Sequence, residues 1–337
     1  MEAIFELPLV VDGHETELLT SGYERETMQL HLRGGGEEGI GEDVSPFGIE
    51  NFPPYADPPE LALTGEWTLG AFCSHIGAQS LWTKEPQWEP MHRFRRWAFE
   101  SAALDLAVRQ AGRSLPELLG REARPLRFVN SLGLGDPPAF ETLQSRLSVY
   151  PELHFKVDAD ARWSPELIDA LAATGAVEIV DFKGRYGLEV ADEDALARMY
   201  ENVLARFPDA LLEDPHDIPA ITDLMASHAD RISHDAPIHK VADIGSLRTI
   251  NVKPSRIGNL AELFAIYAHC EDRGIAMYSG GMGELGVGRG QAQLLASMFH
   301  ADTPNDIAPS AYNERALAGG LPLSPLPAPS PAGFRWA

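Results

Sequence analysis

Four charged residues each end a short apolar segment of this sequence. They are Asp181 in VEIVDFKG, Glu213 in ALLEDP, Asp235 in RISHDAP and Lys253 in TINVKP. Three carboxylates supply the oxygen ligands that Mg²⁺ and Mn²⁺ prefer in proteins. An amine beside such a cation loses affinity for its own proton and can serve as a base. The set therefore predicts proton transfer assisted by a divalent metal ion.

The apolar segments that carry these residues alternate with segments of helical period. This alternation predicts an α/β protein with a parallel (β/α)₈ or TIM barrel, in which the C-terminal strand ends face one mouth. The eight predicted strands are RFVNSLGLG, LHFKVDAD, VEIVDFKG, ALLEDP, RISHDAP, TINVKP, IAMYSGG and a last one near NDIAP. The stretch between the fifth and sixth strands is short, so we expect a reduced helix there.

The chain divides into three predicted parts. The chain has 337 residues, and a chain of this length usually forms more than one hydrophobic core, which favours two domains. Residues 1–122 combine alternating strand-like stretches with a long helical segment and are predicted to form an α+β capping domain. Residues 123–312 form the predicted barrel. The Pro-rich residues 313–337 are expected to return to the cap or to the surface.

Composition argues against several classes of function. The formal net charge of −23 makes nucleic acid an unsuitable partner, because phosphate binding requires clustered Lys and Arg. No apolar run approaches the roughly 18 residues of a membrane helix, and the N-terminal residues lack a secretory signal. We therefore expect a cytoplasmic protein without a membrane partner. The two cysteines, Cys73 and Cys270, do not suggest a disulfide framework.

Several motifs, taken in their order along the chain, resemble the enolase superfamily and, within it, the muconate-lactonizing-enzyme-like (mandelate racemase/muconate lactonizing enzyme) branch. The motifs are GGGEEGIGED and FESAALDLAVRQAGRSLPELLG in the first domain, then LLEDP, NVKPSRIGNL and SGGMGELGVG in the barrel. Each motif is weak alone, but the ordered set is specific and spans nearly all of the chain. The resemblance implies a modified (β/α)₈ barrel with an N-terminal α+β capping domain.

The resemblance also assigns roles to the charged residues. It implies that Asp181, Glu213 and Asp235 hold the Mg²⁺ ion and that Lys253 is the base. In the family the ion binds the carboxylate of a small substrate, which acidifies the α-proton and stabilises the resulting enediolate. Lys156 is then expected to add positive charge near the substrate carboxylate. The implied protein is an isomerase or lyase that associates as a homo-oligomer.

Two strands depart from the family pattern. The second strand has Lys156, Val157 and Asp158 where the branch has Lys-x-Lys, and the third has Asp181 and Lys183 where the family has Asp-x-Asn. Residues two apart on a strand point to the same side. We therefore hypothesise that an acid and a lysine have exchanged places across neighbouring strands, which makes Lys183 a candidate second acid/base. The alternative is that Lys156 and Lys183 only form salt bridges with Asp158 and Asp181.

An alternative assignment makes Asp158 the first metal ligand. The run VDADARW resembles the third-strand run Val-Asp-Ala-Asn-x-x-Trp of the family. This alignment would make VEIVDFKG an extra strand before LLEDP and would leave too few strands at the start of the barrel. Counting strands therefore favours Asp181, and Glu213 and Lys253 keep their roles in either case.

The acid at Asp158, in place of the second lysine of the second strand, affects which type of reaction is expected. A racemase or epimerase needs a donor and an acceptor on opposite faces of the α-carbon, and Lys183 would have to supply one of them. Without it, chemistry with one base is favoured, such as cycloisomerisation or β-elimination of water from an acid sugar. A catalytically silent barrel that binds a carboxylate is the remaining alternative.

Substrate contacts are expected from both domains. In the barrel, Asp158 and Glu284 are the predicted contacts, the latter because it lies in the Gly-Gly-Met-x-Glu run after the seventh strand. In the cap, the segments around HETELLTSGYER and PFGIENFPPYA are expected to close over the barrel. Their candidate apolar contacts are Tyr23, Phe47 and Phe52.

Overall fold

A three-stranded antiparallel sheet and one long helix form the centre of the cap. A computed structural model describes residues 2–21, 25–45, 59–86, 88–187 and 189–336 of the protein. The elements of the first domain are β1 (Pro8–Val11), β2 (Gly13–Thr20), β3 (Glu26–Gly34), β4 (Glu37–Asp43), β5 (Gly65–Thr68), α1 (Leu69–Gly77), α2 (Pro90–Gln110) and α3 (Leu115–Leu119). Strands β2, β3 and β4 pair in that order, and β1 pairs with β5. This is the predicted α+β cap.

The second domain contains seven parallel strands that pair in chain order. Its elements are β6 (Asn130–Gly133), α4 (Phe140–Val149), β7 (Phe155–Asp158), α5 (Pro165–Ala173), β8 (Val177–Asp181), α6 (Glu193–Arg206), β9 (Leu211–Glu213), α7 (Pro219–Met225), β10 (Ile232–His234), β11 (Thr249–Val252), α8 (Pro254–Ile257), α9 (Leu260–Arg273), β12 (Ala276–Ser279) and α10 (Val287–Phe299). Each of the seven strands lies within a segment that the sequence predicts as a strand. Between β10 and β11 there is a short 3₁₀ helix, Val241–Asp243, which is the expected reduced helix.

Two residues of the predicted eighth strand close the barrel. Asn305 forms a parallel bridge with Phe128, and Asp306 forms one with Gly280. These bridges connect the two edges of the seven-stranded sheet, so the fold is a modified (β/α)₈ barrel with an N-terminal cap, as predicted. In the described part of the chain, no helix is both long and apolar enough to cross a membrane.

The helices begin and end at residues that satisfy their free backbone groups. Before α3, the Ser114 hydroxyl accepts from the Glu117 amide while the Glu117 carboxylate accepts from the Ser114 amide. At the start of α9, the Asn259 side-chain oxygen accepts from the Glu262 amide. Gly120 and Gly274 end their helices with positive φ, which glycine adopts without steric cost. These caps and glycines fix the residues at which the helices begin and end.

One of the apolar clusters joins the cap to part of the barrel, while a second cluster lies within the barrel domain. A continuous cluster of buried side chains runs from the cap sheet and α2 into β11, α9 and α10. The C-terminal segment joins it, because Phe334 is fully buried with its ring edge-on to Trp97 at 6.4 Å between centroids. The Phe334 amide donates to Asp105 at 2.8 Å, and Arg335 pairs with the same carboxylate at 2.6 Å. The chain end is thereby fixed to the cap.

Close contact between β4 and α2 requires glycine at position 41. A Cβ atom there would lie 1.9 Å from the Ala98 carbonyl oxygen, so backbone would have to move. We expect Gly41→Ala to lower the free energy of unfolding by about 1–3 kcal/mol, the usual cost of overpacking. Gly13→Ala on β2 is the control, because nothing lies within 4 Å of its Cβ position. Chemical denaturation of both variants measures the difference, and equal stabilities would contradict the packing argument.

Candidate active site

Three acidic residues lie at the C-terminal ends of neighbouring barrel strands. Asp181 ends β8, Glu213 ends β9, and Asp235 directly follows β10. Asp181 and Glu213 are direct partners across the sheet, and all three side chains are fully buried. A buried carboxylate is costly unless a cation or hydrogen-bond donor compensates its charge. The arrangement therefore concentrates negative charge at the barrel mouth.

Two lysines compensate much of this charge. Lys156 Nζ, from β7, lies 3.0 Å from Asp181 Oδ2 and also contacts Glu213 Oε1. Lys253 Nζ, after β11, donates to Asp235 Oδ2 at 2.8 Å. Asp235 Oδ1 is sealed from solvent and accepts no hydrogen bond within the described chain, although Arg256 Nε lies 3.3 Å from it. Among the oxygens of the three ligand candidates, it is the one without a hydrogen-bond donor in the described chain.

The donor set suits a divalent cation, although the present arrangement is not a closed ligand cage. Three buried carboxylates offer only oxygen, the ligand type that Mg²⁺ and Mn²⁺ bind, and one of those oxygens lacks a hydrogen-bond donor. Within the described residues, however, Asp181, Glu213 and Asp235 are not a group whose ligand atoms all lie within 4.8 Å of one another. Lys156 stands between two of them. Binding of an ion would require this ammonium to move aside.

Burial and charge shift the pKa values of these groups in opposite directions. Burial alone would raise the pKa of Asp181, but the ammonium groups of Lys156 and Lys183 outweigh it, and the net pKa is lowered. For Glu213 burial prevails over Lys156, and its pKa is raised to about 8. Burial would lower the pKa of Lys156, yet Asp181 and Glu213 raise it well above its usual value. Lys156 is therefore held as the ammonium, which favours an electrostatic role.

Lys183 and Asp158 meet across neighbouring strands. Lys183 Nζ lies 3.1 Å from Asp158 Oδ1 and also contacts Asp181 Oδ2. Asp158 and Asp181 are direct partners in the β7–β8 pairing. Lys183 has a φ of 54°, a conformation that residues other than glycine seldom adopt, while its amide donates to Asp181 Oδ1 at 3.0 Å. Lys183 thus forms the salt bridges that the structural alternative predicts, and its role as a second acid/base stays a prediction.

A cavity of about 450 Å³ covers this end of the barrel. The three lysines and Asp158 line it, while Trp88 and Phe94 contribute an aromatic wall from the cap. A larger cavity of about 640 Å³ lies at the opposite end, where β8, β11 and β12 begin, and its lining contains none of the predicted site residues. We place the candidate active site in the smaller cavity, because its three lysines pair with the three buried carboxylates, which do not line it themselves.

The sequence predicts that Glu284 contacts the substrate, but Glu284 does not line this cavity. Its carboxylate accepts from the Met282 amide at 3.0 Å and from Ser255 Oγ at 3.3 Å. Glu284 therefore shapes the loop after β12. The cap residues Tyr23, Phe47 and Phe52 lie outside the described residues.

Matches to known proteins come from both halves of the chain. Residues 2–118 match the N-terminal domain, and residues 122–314 the C-terminal domain, of a family described as domain of unknown function (DUF8230). The chain belongs to the DUF8230 family. Its relatives and structural neighbours place this DUF8230 protein in the enolase superfamily, in the branch that the sequence motifs indicate. Because the relatives found by sequence are racemases and synthases, the protein is an isomerase or lyase of that superfamily.

Three similar proteins illustrate the relationship. An N-succinylamino acid racemase of Thermus thermophilus is 26% identical over 328 residues, which cover 90% of this chain and 85% of that protein. An o-succinylbenzoate synthase of Geobacillus stearothermophilus is 29% identical over 229 residues, covering 64% of this chain and only 59% of the synthase. The crystal structure of a dipeptide epimerase from Methylococcus capsulatus, complexed with Mg ion, superimposes with a TM-score of 0.62 and 22% identity, covering 88% of this chain and 89% of the epimerase.

The sequence does not predict several polar residues that lie at the candidate site of this DUF8230 protein. Asp306, which closes the barrel, lies 3.4 Å from Lys156 Nζ. Asn251 Nδ2 donates to Glu213 Oε2 at 3.2 Å, and the Tyr278 hydroxyl donates to the same oxygen. Asp214 accepts from the Asp235 amide at 3.0 Å, and burial raises its pKa to about 6. Asn251 was detectable, because it lies on β11 two residues before Lys253, which directly follows that strand, and the period of two predicts the same side for both.

Lysine usage is a further signal in the sequence. The chain has 27 basic residues, of which five are lysines, and three of those five are Lys156, Lys183 and Lys253. Arginine serves at most other basic positions. A guanidinium stays protonated in proteins, whereas an amine can give up and regain a proton. Lysine at the barrel mouth is therefore compatible with proton transfer, which arginine could not perform.

Proposed function

We propose that this DUF8230 protein abstracts the α-proton of a small carboxylate with the help of a divalent metal ion, and that it racemises or epimerises an N-acylated amino acid. The observation that carries the proposal is that three lysines line one cavity and pair with three fully buried carboxylates, which do not line it themselves. Burying this many charged groups lowers the free energy of unfolding, so their presence at one site supports a catalytic role.

Asp181, Glu213 and Asp235 would hold the ion, with Mg²⁺ as the expected cation and Mn²⁺ as a substitute. When bound, the ion would offset negative charge on the substrate carboxylate and so make the α-proton more acidic. Lys156 would then leave the carboxylates and turn its ammonium toward the cavity, which it already lines. There it would attract and orient the substrate carboxylate.

Lys253 and Lys183 would exchange protons with the α-carbon. They follow β11 and β8, which are three strands apart in the sheet, so they reach the cavity from different sides. Lys253 would remove the proton on one face. Lys183 would deliver a proton to the other face, because Asp181 and Asp158 outweigh the effect of burial, raise its pKa and hold it as the ammonium. In the reverse direction the two amines would exchange roles.

The relatives support this choice of substrate. The match to the N-succinylamino acid racemase covers most of both chains, and the structural neighbour with Mg is a dipeptide epimerase. Both names describe an inversion at the α-carbon of an amino acid whose nitrogen is acylated. The aromatic wall formed by Trp88 and Phe94 suits an apolar amino acid side chain.

A second candidate is β-elimination of water, as the o-succinylbenzoate synthase relatives suggest. The observation that favours it is Asp158, which stands where the family has its second strand-two lysine. If Lys183 were committed to the ion pair with Asp158, only Lys253 would be available as a base. Elimination needs one base and no proton delivery to the opposite face.

An exchange experiment separates the two candidates. The protein is incubated with Mg²⁺ in D₂O, together with separate enantiomers of N-succinyl and N-acetyl amino acids, and proton NMR and optical rotation are followed. We expect loss of the α-proton signal together with loss of optical rotation. Dehydration of an o-succinylbenzoate precursor without exchange or inversion of any N-acyl amino acid would favour the synthase. No turnover of either class would refute both candidates.

Metal affinity should depend on Glu213. Glu213→Gln keeps the side-chain size but removes one buried charge from the ligand set. We expect Mg²⁺ affinity to fall by roughly 10- to 100-fold or more, since even outer-shell changes have effects of that size. Glu178→Gln, at the opposite end of the neighbouring strand, is the control. Calorimetric titration measures both, and equal affinities would exclude Glu213 from the metal site.

A further inference from the structure

A second group of metal-ligating side chains lies on the cap sheet, apart from the barrel mouth. Glu15 on β2 is directly opposite His31 on β3, and Glu38 on β4 is opposite Arg33. One carboxylate oxygen of Glu15, one of Glu38 and a ring nitrogen of His31 all lie within 4.8 Å of one another. Side chains from three adjacent strands therefore converge on one point.

His31 is the informative member of this group. The residue is 9% exposed, and both ring nitrogens are sealed from solvent without a hydrogen-bond partner in the described chain. Nδ1 lies 3.3 Å from Glu38 Oε1, and Nε2 lies 3.6 Å from Glu17 Oε2. A neutral imidazole has one nitrogen that can only accept, and a carboxylate offers it nothing to accept. A cation shared by that nitrogen and the carboxylates would satisfy all of them.

We propose that Glu15, His31 and Glu38 bind a divalent cation of the zinc type and thereby link β2, β3 and β4. The donor set decides the class of metal, because imidazole together with carboxylate suits Zn²⁺ or Co²⁺, whereas the barrel mouth offers only oxygen. Glu17, beside Nε2, adds negative charge to the site. The proposal is independent of the proposed function, since no residue of the catalytic cavity takes part.

Arg33 is the competitor for this site. Its guanidinium lies 3.1 Å from Glu15 Oε2 and 3.1 Å from Glu38 Oε1. The Arg33 and Glu15 side chains are about half exposed, at 53% and 52%. An exposed ion pair of this kind contributes little to stability, so a divalent cation can displace it at small cost. Removal of the guanidinium should therefore tighten binding of the metal.

The test uses the full chain, freed of metal with EDTA and returned to buffer with excess Mg²⁺. Co²⁺ is titrated while its visible absorption is recorded, and Zn²⁺ is titrated by calorimetry. We expect one equivalent of each to bind, and Zn²⁺ to raise the midpoint of thermal unfolding by several degrees. His31→Gln should weaken Co²⁺ binding by roughly 10- to 100-fold or more, because it removes the nitrogen ligand.

Three further variants make the outcome decisive. His14→Gln changes an exposed histidine one residue before Glu15, on the opposite face of the sheet, and should leave the titrations unchanged. Glu38→Gln should weaken Co²⁺ binding as His31→Gln does, and Arg33→Gln should strengthen it several-fold. Equal Co²⁺ spectra and affinities in the wild type and His31→Gln would overturn the proposal. So would the absence of Co²⁺ and Zn²⁺ binding to the wild type, which would leave His31 as an ion-pair partner of Glu17 and Glu38.

Discussion

Replacing Lys253 by methionine should nearly abolish turnover while leaving Mg²⁺ binding in place. Methionine keeps the length of the side chain but cannot accept a proton. Loss of a positioned acid/base commonly costs about 10²- to 10⁴-fold in rate, and we expect kcat/KM of Lys253→Met to fall within that range. The measurement is the initial rate of α-proton exchange in D₂O with saturating Mg²⁺, followed by proton NMR.

A lysine remote from the chemistry provides the matched control. Lys84 is exposed on the cap, and Lys84→Met should retain the wild-type rate. Calorimetry must also show that Lys253→Met still binds Mg²⁺, because Lys253 pairs with the metal-ligand candidate Asp235. If the variant bound Mg²⁺ and retained more than a tenth of the exchange rate, Lys253 would not be the base.

The barrel was largely predictable because its strands carry a strong local signal. Seven short apolar runs each became a strand, and the acidic residues that end three of them lie at one mouth, as parallel pairing requires. The eighth strand is reduced to the bridges of Asn305 and Asp306. The sequence predicts the position of this strand. The contact between Asp306 and Lys156 depends on closure of the sheet, which no local sequence pattern encodes. Asp306 was therefore missed as a member of the site.

Side-chain direction limited the remaining predictions. The period of two predicts that Asp158, at the end of β7, shares a side with Lys156. Lys183 lies two residues beyond β8 with a φ of 54°, outside strand geometry, and still pairs with Asp158. In the loop after β12 no such period exists. The Gly-Gly-Met-x-Glu motif predicts a substrate contact for Glu284, but its carboxylate accepts a hydrogen bond from the Met282 amide. Tyr278, which the sequence does not single out, donates its hydroxyl hydrogen to Glu213 inside the barrel.

The ion pair of Lys183 and Asp158 supplies the second large expected effect. Lys183→Met should abolish inversion of the α-carbon, with kcat/KM for racemisation lowered by about 10²-fold or more. Lys253 would remain, so one enantiomer should still exchange its α-proton for deuterium with retention of configuration. Polarimetry and proton NMR on each enantiomer measure the two processes separately. Equal loss of exchange and of inversion for both enantiomers would assign Lys183 to substrate or metal binding instead.

A double substitution tests whether the acid and the lysine have exchanged places. Asp158→Lys with Lys183→Asn restores the Lys-x-Lys and Asp-x-Asn patterns of the family. Because Asp158 and Asp181 are partners across β7 and β8, an amine on either strand end can reach the same part of the cavity. We therefore expect the double variant to recover inversion by at least about tenfold over Lys183→Asn alone, an interaction larger than independent sites show. Inversion no faster in the double variant than in Lys183→Asn would mean that Lys183 acts only from its own strand.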